Sequence, residues 1–226
     1  MSAARIAAAG LLAYGAWRLY QAQGDSAHGA TADLLEQAGQ TISDAGQSAA
    51  HIIEQGIGIM GGLRLSNMAG VTQADVRHPN VQAFLRVIRV GEGTADPLGY
   101  RRIVGGDLFE SFADHPRQLR SGTFHNGKRW RSTAAGAYQF LMRTWDETAR
   151  IMRLPDFTPA NQDLGAVGRI AARGALDHVK AGRFDEAIRR VAQEWASMPG
   201  SPFGQPVITW ERARAVYAAA GGTTAA

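Results

Sequence analysis

The sequence of 226 residues predicts a mostly helical α+β domain that follows an N-terminal extension of different composition. Apolar residues recur at helical spacing on both sides of one segment, residues 94–131, that is rich in Gly, Pro, Asp and Arg. The apolar residues inside that segment are scattered, which favours short strands and turns. Helices that flank one short β-rich segment are typical of an α+β fold.

The composition excludes several classes of protein. No cysteine is present, so a disulfide framework, a zinc-thiolate site and a papain-like peptidase are excluded. The six histidines are scattered without a His-Glu-x-x-His pair, and no Walker-type loop or nucleic-acid-binding motif occurs. We therefore expect no metal, no cofactor and no nucleic-acid partner.

The net charge of +4 is unevenly distributed along the chain. Residues 1–78 carry 4 Lys and Arg against 6 Asp and Glu, whereas residues 79–226 carry the other 20 and 14. A basic domain suits a polyanionic partner, such as an anionic membrane surface or a bacterial cell wall.

The N-terminal segment Met1–Gln23 contains an uncharged apolar run from Ile6 to Trp17 between Arg5 and Arg18. A membrane span needs about 20 residues, so this run of 12 is short for one. Three interpretations stay open: a membrane-associating helix, an export signal, or a helix that docks in a larger assembly.

Residues 24–77 have another composition, rich in Ala, Gly and Gln and without Trp, Tyr or Phe. A weak helical stripe and Gly58 and Gly62 at small-xxx-small spacing permit close helix approach. A weakly helical tether is predicted here, with a docking arm as the alternative. The folded domain is then predicted to span residues 78–226.

The first helix of that domain is predicted from Pro79 to Gly91. An apolar stripe runs along it, Pro79 suits its first position, and Gly91 and Gly93 end it. Between those glycines stands Glu92. The negative end of the helix dipole and partial burial should both raise the pKa of this carboxyl, which suits a general acid. The alternative is a solvated Glu that merely ends a helix.

Residues after Thr94 predict turns at Gly105–Gly106 and a polar hairpin over residues 122–131, with Asn126–Gly127 as its turn. Helical periodicity then returns. The predicted helices are Leu141–Met152, one that begins at Thr158–Pro159, Phe184–Trp195 and Thr209–Ala220.

A series of motifs makes the prediction of fold and function more specific. The run FL-x6-EGT is followed in order by GY, IVGG-x-LF, DHPR, ST-x-AG-x-YQ, DF-x-P-x2-QD, RGAL and WAS-x-PG-x3-GQ. This series, between about residues 79 and 222, resembles the family of phage lambda endolysins, which are named lysozymes for their fold but act as lytic transglycosylases. The resemblance does not cover residues 1–78. It implies a lysozyme-like fold with a small β lobe beside an active-site cleft.

The resemblance also implies a mechanism in which Glu92 is the sole acid/base. Glu92 would protonate the β-1,4 glycosidic oxygen between N-acetylmuramic acid and N-acetylglucosamine in peptidoglycan. It would then accept the proton of the muramic acid C6 hydroxyl as that oxygen closes on C1 to give a 1,6-anhydro product. An intramolecular nucleophile removes the need for the second carboxylate that most glycosidases use.

Two alternatives remain at this point. Asp96, Asp107 and Asp114 are the nearby carboxylates, and if one of them is essential, a hydrolytic muramidase becomes the better interpretation. The other alternative is a virion or membrane component that binds glycan without cleaving it.

The substrate-binding residues that the resemblance implies lie in four of the motifs. Phe203 stands where the family usually has Tyr, and Arg101 stands where it usually has Asp, so affinity or pH dependence is expected to differ. Trp130, Trp145 and Trp195 are expected in the core rather than on the glycan. The predicted substrate-binding residues are Tyr100, Ser132, Tyr138, Gln139, Gln162 and Phe203.

The predicted partner is bacterial peptidoglycan, reached in the periplasm or cell wall. Delivery would use membrane anchoring, release by a holin, or transport in a phage particle. Residues 1–75 are the candidate contact with the inner membrane or with a virion protein.

Overall fold

The computed structural model describes residues 63–123, 129–202 and 207–225. These residues form seven α-helices, two short 3-10 helices and one two-stranded sheet. The helices are α1 (Gln73–Val76), α2 (Pro79–Gly91), α3 (Met142–Met152), α4 (Pro159–Ala172), α5 (Leu176–Lys180), α6 (Phe184–Val191) and α7 (Trp210–Ala219), the strands are β1 (Arg120–Thr123) and β2 (Arg129–Ser132), and the 3-10 helices are Leu65–Met68 and Gly99–Arg101.

Helix α2 is the centre of the domain and begins where the sequence predicts. Pro79 occupies its first turn, and the His78 side chain accepts a hydrogen bond from the Asn80 N–H. The helix contacts α1, α4, α5 and α7. Because neighbours surround it, Phe84 and Ile88 are fully buried, and Phe84 packs edge-on against Phe184 of α6.

The small sheet confirms the predicted hairpin. Strands β1 and β2 pair antiparallel, with Arg120 opposite Ser132 and Gly122 opposite Trp130. The proposed turn at Asn126–Gly127 lies outside the described residues, as does the side chain of Trp130. Isolated bridges join Ile103 to Ala135 and Ala135 to Phe140. The loop after the 3-10 helix Gly99–Arg101 and the segment 132–140 therefore form one wall.

The C-terminal helices follow the prediction with two differences: the short helix α5 was not predicted, and α6 ends earlier than expected. Phe184–Trp195 was expected as one helix, but α6 ends at Val191 and Trp195 lies in the turn that follows. In that turn the Glu194 N–H donates to the Val191 carbonyl, and the Glu194 carboxylate binds Arg169 and Arg173 of α4. Long-range ion pairs thus override the local periodicity. Trp145 and Trp195 are buried, as expected.

A buried ion-pair network ties this turn to α4. Arg169 Nε lies 2.6 Å from Glu194 Oε1, Arg173 Nε lies 2.9 Å from Glu194 Oε2, and Arg169 also binds Glu147 at 2.7 Å. Burial opposes ionisation of Glu194, but the two guanidinium groups outweigh it and lower the pKa of this carboxyl. The network holds the turn, and the residues that follow it, against the domain.

Residues 64–75, which were predicted as part of the tether, contact the helices of the domain. The Arg64 N–H donates to the Ala172 carbonyl at 2.6 Å, Met68 is fully buried, and the Lys180 ammonium binds Asp75. The segment was predicted as a tether because it contains no Trp, Tyr or Phe, and its contacts with the domain use other residue types. Met1–Gln23 and the tether up to residue 62 lie outside the described residues. Within the described ranges, the helices are too short or too polar to cross a bilayer.

Candidate active site

Glu92 lies at the C-terminal end of α2, at the position that the sequence predicts. It is the residue that caps the helix, and its N–H still donates to the Ile88 carbonyl at 2.9 Å. Gly93 follows with φ +70°, a left-handed conformation that turns the chain away from the helix axis. The carboxyl is therefore attached to the rigid end of a buried helix rather than to a loose loop.

Within the described part of the chain, the carboxyl of Glu92 has one close polar partner, Ser197, in the turn after α6. Ser197 Oγ donates to Glu92 Oε1 at 2.6 Å, and Ser197 is 1% exposed. Close packing at Gly91 permits this approach. A Cβ on Gly91 would lie 2.3 Å from Met198 Cε and 2.8 Å from Ser197 Oγ, so a larger residue there would displace the turn.

Burial raises the pKa of Glu92 from 4.5 to about 7, although the hydrogen bond from Ser197 acts in the opposite direction. The predicted direction of the shift is confirmed, and its main cause is removal from solvent. Near neutral pH both protonation states of such a carboxyl are populated, so it can give a proton in one step and accept one in the next.

The three aspartates considered as a second catalytic carboxylate each bind an arginine. Asp96 binds Arg102 at 2.8 Å and Asp107 binds Arg120 at 2.8 Å. Burial opposes ionisation of Asp96, but hydrogen bonds from the Leu98 N–H and Arg102 outweigh it and lower the pKa of that carboxyl.

Asp114 shows the same balance. It binds Arg117 at 2.7 Å and accepts a hydrogen bond from the His115 N–H. These contacts outweigh burial and lower the pKa of Asp114. The environments of Asp96 and Asp114 therefore favour the anion, in contrast to that of Glu92.

Two of the predicted substrate-binding residues are buried in the cleft wall and already satisfied by protein groups. Ser132 is 5% exposed, and its Oγ accepts a hydrogen bond from the Ala134 N–H at 2.9 Å. Tyr138 is 2% exposed, and its hydroxyl donates to Asp163 Oδ1 at 2.6 Å. Both residues hold the segment 132–140 in place.

Gln162 is fully buried in α4 and connects three backbone segments. Its Oε1 accepts from the Ala137 N–H at 2.8 Å, and its Nε2 donates to the Tyr100 carbonyl at 3.0 Å and to the Phe157 carbonyl at 2.8 Å. Gly136, with φ +79°, leaves the room for this amide, because a Cβ there would lie 2.3 Å from Gln162 Oε1. Sequence reasoning could not distinguish this internal role from a sugar contact.

Tyr100 and Gln139 retain partial exposure. The Tyr100 hydroxyl donates to Asp163 Oδ1 at 2.8 Å, and the Arg89 guanidinium lies 4.5 Å from the centre of its ring. Gln139 has φ +48°, and its Nε2 donates to the carbonyls of Arg102 and Gly136. The remaining predicted residue, Phe203, lies outside the described residues.

Arg101, which stands where the related pattern usually has Asp, clamps the following loop. Its Nη1 donates to the carbonyls of Phe109 and Glu110, and its guanidinium lies 4.3 Å from the centre of the Phe112 ring. Arg101 therefore holds the loop that contains Phe109 and Phe112 in this chain. The expected effect on affinity or pH dependence stays a prediction.

Sequence reasoning did not single out Ser197, Asp163 or Arg89. Ser197 and Asp163 do lie inside the motifs WAS-x-PG and DF-x-P-x2-QD, which was the available signal. Arg89 precedes Glu92 by three residues in the same helix, and this spacing places residues on neighbouring parts of a helix surface.

A family model and two curated relatives match this chain. The family model described as Endolysin matches residues 82–224. The endolysin of Escherichia phage P2 is 40% identical over 159 residues, which are 66% of this chain and 96% of that protein. The endolysin of Escherichia phage lambda is 38% identical over 148 residues, which are 63% of this chain and 91% of that protein.

Solved structures match over the same part of the chain. Bacteriophage lambda lysozyme complexed with a chitohexasaccharide has a TM-score of 0.59 at 38% identity and covers 65% of this chain and 97% of its own. Another structure of the lysozyme from bacteriophage lambda has a TM-score of 0.56 at 36% identity, with the same coverage. These matches confirm the lysozyme-like α+β fold.

Proposed function

Because the chain belongs to the Endolysin family, we propose that it is a peptidoglycan-degrading lytic transglycosylase with Glu92 as its sole acid/base. The observation that carries this proposal is the partly buried carboxyl at the end of α2, with a pKa of about 7 and a neutral serine as its partner. A purely structural Glu on a helix end gains nothing from such a costly environment.

In the first step the protonated Glu92 gives its proton to the glycosidic oxygen between N-acetylmuramic acid and N-acetylglucosamine. The bond from that oxygen to C1 breaks and an oxocarbenium-like centre forms. The Glu92 carboxylate then removes the proton of the C6 hydroxyl as its oxygen bonds to C1. The products are a free hydroxyl on the departing sugar and a 1,6-anhydro ring. Glu92 ends protonated, and no water is consumed.

The environment of the nearby aspartates supports the single-carboxylate mechanism over hydrolysis. A hydrolytic muramidase needs a second carboxylate as nucleophile or base, at roughly 5 Å or 6.5–9.5 Å from the first. Instead, each of these aspartates forms an ion pair with an arginine: Asp96, Asp107 and Asp114. An intramolecular hydroxyl is already present at high effective concentration, so such a partner is unnecessary.

For substrate binding, we assign direct contact with the glycan to the partly exposed Tyr100 and Gln139. The buried Ser132, Tyr138 and Gln162 would support the wall that carries these side chains, and Phe203 would offer a ring for stacking. The relative from phage lambda was solved with a chitohexasaccharide, which supports a cleft of this kind that accepts amino-sugar chains.

The test compares wild type with Glu92→Gln on purified peptidoglycan by zymogram, followed by mass spectrometry of the released fragments. We expect clearing and 1,6-anhydro ends from wild type and no clearing from the variant, which is isosteric but cannot transfer a proton. Asp96→Asn is the matched control and should retain activity. Fragments with reducing ends would favour hydrolysis, and full activity of Glu92→Gln would reject the proposed role.

We also propose that residues 1–75 deliver the enzyme by contact with the inner membrane or a virion protein. The apolar run Ile6 to Trp17 between two arginines supports this interpretation. Deletion of Met1–Gln23 should release the protein from membrane or particle fractions, and an unchanged distribution would reject the proposal.

A further inference from the structure

The hydrogen bond between Ser197 and Glu92 continues into the opposite wall of the site. Ser197 lies two residues after Trp195 in one turn, and the Met198 N–H closes this turn on the Trp195 carbonyl at 3.0 Å. The Trp195 indole N–H donates to the Tyr138 carbonyl at 3.2 Å, a buried contact. Displacement of Tyr138 would therefore be transmitted through the indole to the turn that carries Ser197.

Tyr138 is in turn bound to Asp163, which also holds Tyr100. One oxygen of Asp163, Oδ1, accepts from the Tyr138 hydroxyl at 2.6 Å and from the Tyr100 hydroxyl at 2.8 Å. These tyrosines come from two separate segments of the cleft wall, whereas Asp163 belongs to α4. A single carboxylate thus joins three parts of the chain.

Arg89, which lies in α2, connects Tyr100 to the helix that carries Glu92. Its guanidinium stacks on Tyr100, and its Nη2 donates to the carbonyls of Thr94 and Asp96, both at 3.2 Å. Those carbonyls belong to the loop directly after Glu92. We call the following set the Asp163 circuit: Ser197, Trp195, Tyr138, Asp163, Tyr100 and Arg89.

The hydrogen bonds to Asp163 explain why this position carries an acid rather than an amide. Among the described residues, the groups that act on Asp163 are Tyr138, Tyr100 and Arg89. Burial raises the pKa of this carboxyl, while the two hydroxyls and the guanidinium act in the opposite direction. Burial beside Asp163 raises the pKa of Tyr100 to about 12 and that of Tyr138 well above its usual value, so both phenols stay protonated and donate. Hydrogen bonds to an ionised acceptor are stronger than those to a neutral amide.

We propose that Asp163 is a positioning residue, which holds Ser197 against the Glu92 carboxyl through Tyr138 and Trp195 and holds the loop after Glu92 through Tyr100 and Arg89. The catalytic consequence rests on the function proposed above. The positioning itself does not, because it concerns the contact between Ser197 and Glu92 in the free protein.

The direct readout is the pKa of Glu92, followed by 13C NMR of labelled glutamate in the full chain. Among the described residues, burial raises this pKa and the Ser197 hydrogen bond lowers it, so loss of that hydrogen bond should raise it further. We expect Asp163→Asn to raise the Glu92 pKa by about half a unit, which is about threefold in the ionisation constant. Asp185→Asn, which alters an exposed pair with Arg214, is the control and should leave it unchanged.

A double-mutant cycle separates positioning from general loosening of the fold. Ser197→Ala removes the end of the circuit, so Asp163→Asn should add nothing in that background. An equal shift with and without Ser197, or no shift in the wild-type background, overturns the proposal. Tyr138→Phe removes one hydroxyl and keeps the ring, so it repeats the test if Asp163→Asn does not fold.

The same variants are also assayed for peptidoglycan cleavage over a range of pH. Asp163→Asn should lower kcat and move the alkaline limb of the pH profile upward, while KM changes little. Because the NMR measurement needs no turnover, its result stands even if Glu92→Gln retains activity. Failure of the proposed function and failure of the positioning role are thereby distinguished.

Discussion

At the scale of single residues, the environment of Glu92 lowers the stability of the fold. The carboxyl is partly buried, and among the described residues no cation contributes to its pKa while the Ser197 hydroxyl donates to it. The folded protein therefore binds the Glu92 proton more tightly than the unfolded chain does. The proposed acid/base role and stability make opposite demands on this residue.

This conflict predicts the effect of Glu92→Gln on stability. The ordinary pKa of 4.5 applies to the unfolded chain and a value of about 7 to the folded protein. Below pH 4.5 both states are protonated and the wild type carries no penalty. As pH rises from 4.5 to about 7 only the unfolded state ionises, so wild-type stability falls.

The amide variant avoids this penalty. Because the side chain keeps some solvent contact, we expect Glu92→Gln to be more stable than wild type by about 2 kcal/mol at pH 8, with a much smaller difference at pH 4. Urea unfolding at both pH values measures this difference. A constant difference across the range would contradict the raised pKa of Glu92.

At the scale of elements, the site depends on the contact between the end of α2 and the turn after α6. Gly91 is the residue that lets them meet, although alanine is the better helix former by about 1 kcal/mol. The short distances that a Cβ would have to Met198 and Ser197 decide against alanine. A local propensity is here outweighed by a tertiary contact.

Gly91→Ala is therefore expected to lower both activity and stability. Displacement of the Met198 and Ser197 side chains should cost about 1–3 kcal/mol, as overpacking does in other cores. Thermal denaturation and a peptidoglycan turbidity assay measure the two effects. Gly70→Ala, where a Cβ meets nothing within 4 Å, is the control and should change neither.

At the scale of the whole molecule, α4 connects the parts of the site. On one side its Arg169 and Arg173 hold Glu194, and with it the turn that leads to Ser197. Further along the helix, Gln162 and Asp163 hold both segments of the cleft wall. The site is thus assembled on a helix that contributes no proposed acid or base.

Removal of the central carboxylate of the ion network should destabilise the whole domain. Glu194→Ala leaves two buried guanidinium groups without their main partner, which costs about 3–5 kcal/mol. Urea unfolding at neutral pH measures this loss. Glu186→Ala, which breaks only exposed pairs with Arg189 and Arg190, should cost less than about 1 kcal/mol.

Part of the fold and the site could be predicted because the signals are local. The stripe of α2, Pro79 at its start and Gly93 at its end all lie within one stretch, and they place Glu92 at a helix terminus. The hairpin was predictable for the same reason. The early start of the packed chain was not, since the contact from Arg64 to Ala172 spans most of the domain.

The sequence by itself determined the longer helices, the hairpin, the family resemblance and the single acid at a helix end, because periodicity, turn residues and motif order act over short distances along the chain. Only the tertiary structure decided that Glu92 is paired with a serine, that the aspartates are occupied by arginines, and that Gln162 and Tyr138 face inward. Burial and hydrogen-bond partners depend on segments far apart in sequence, and these determine the protonation state of each carboxyl.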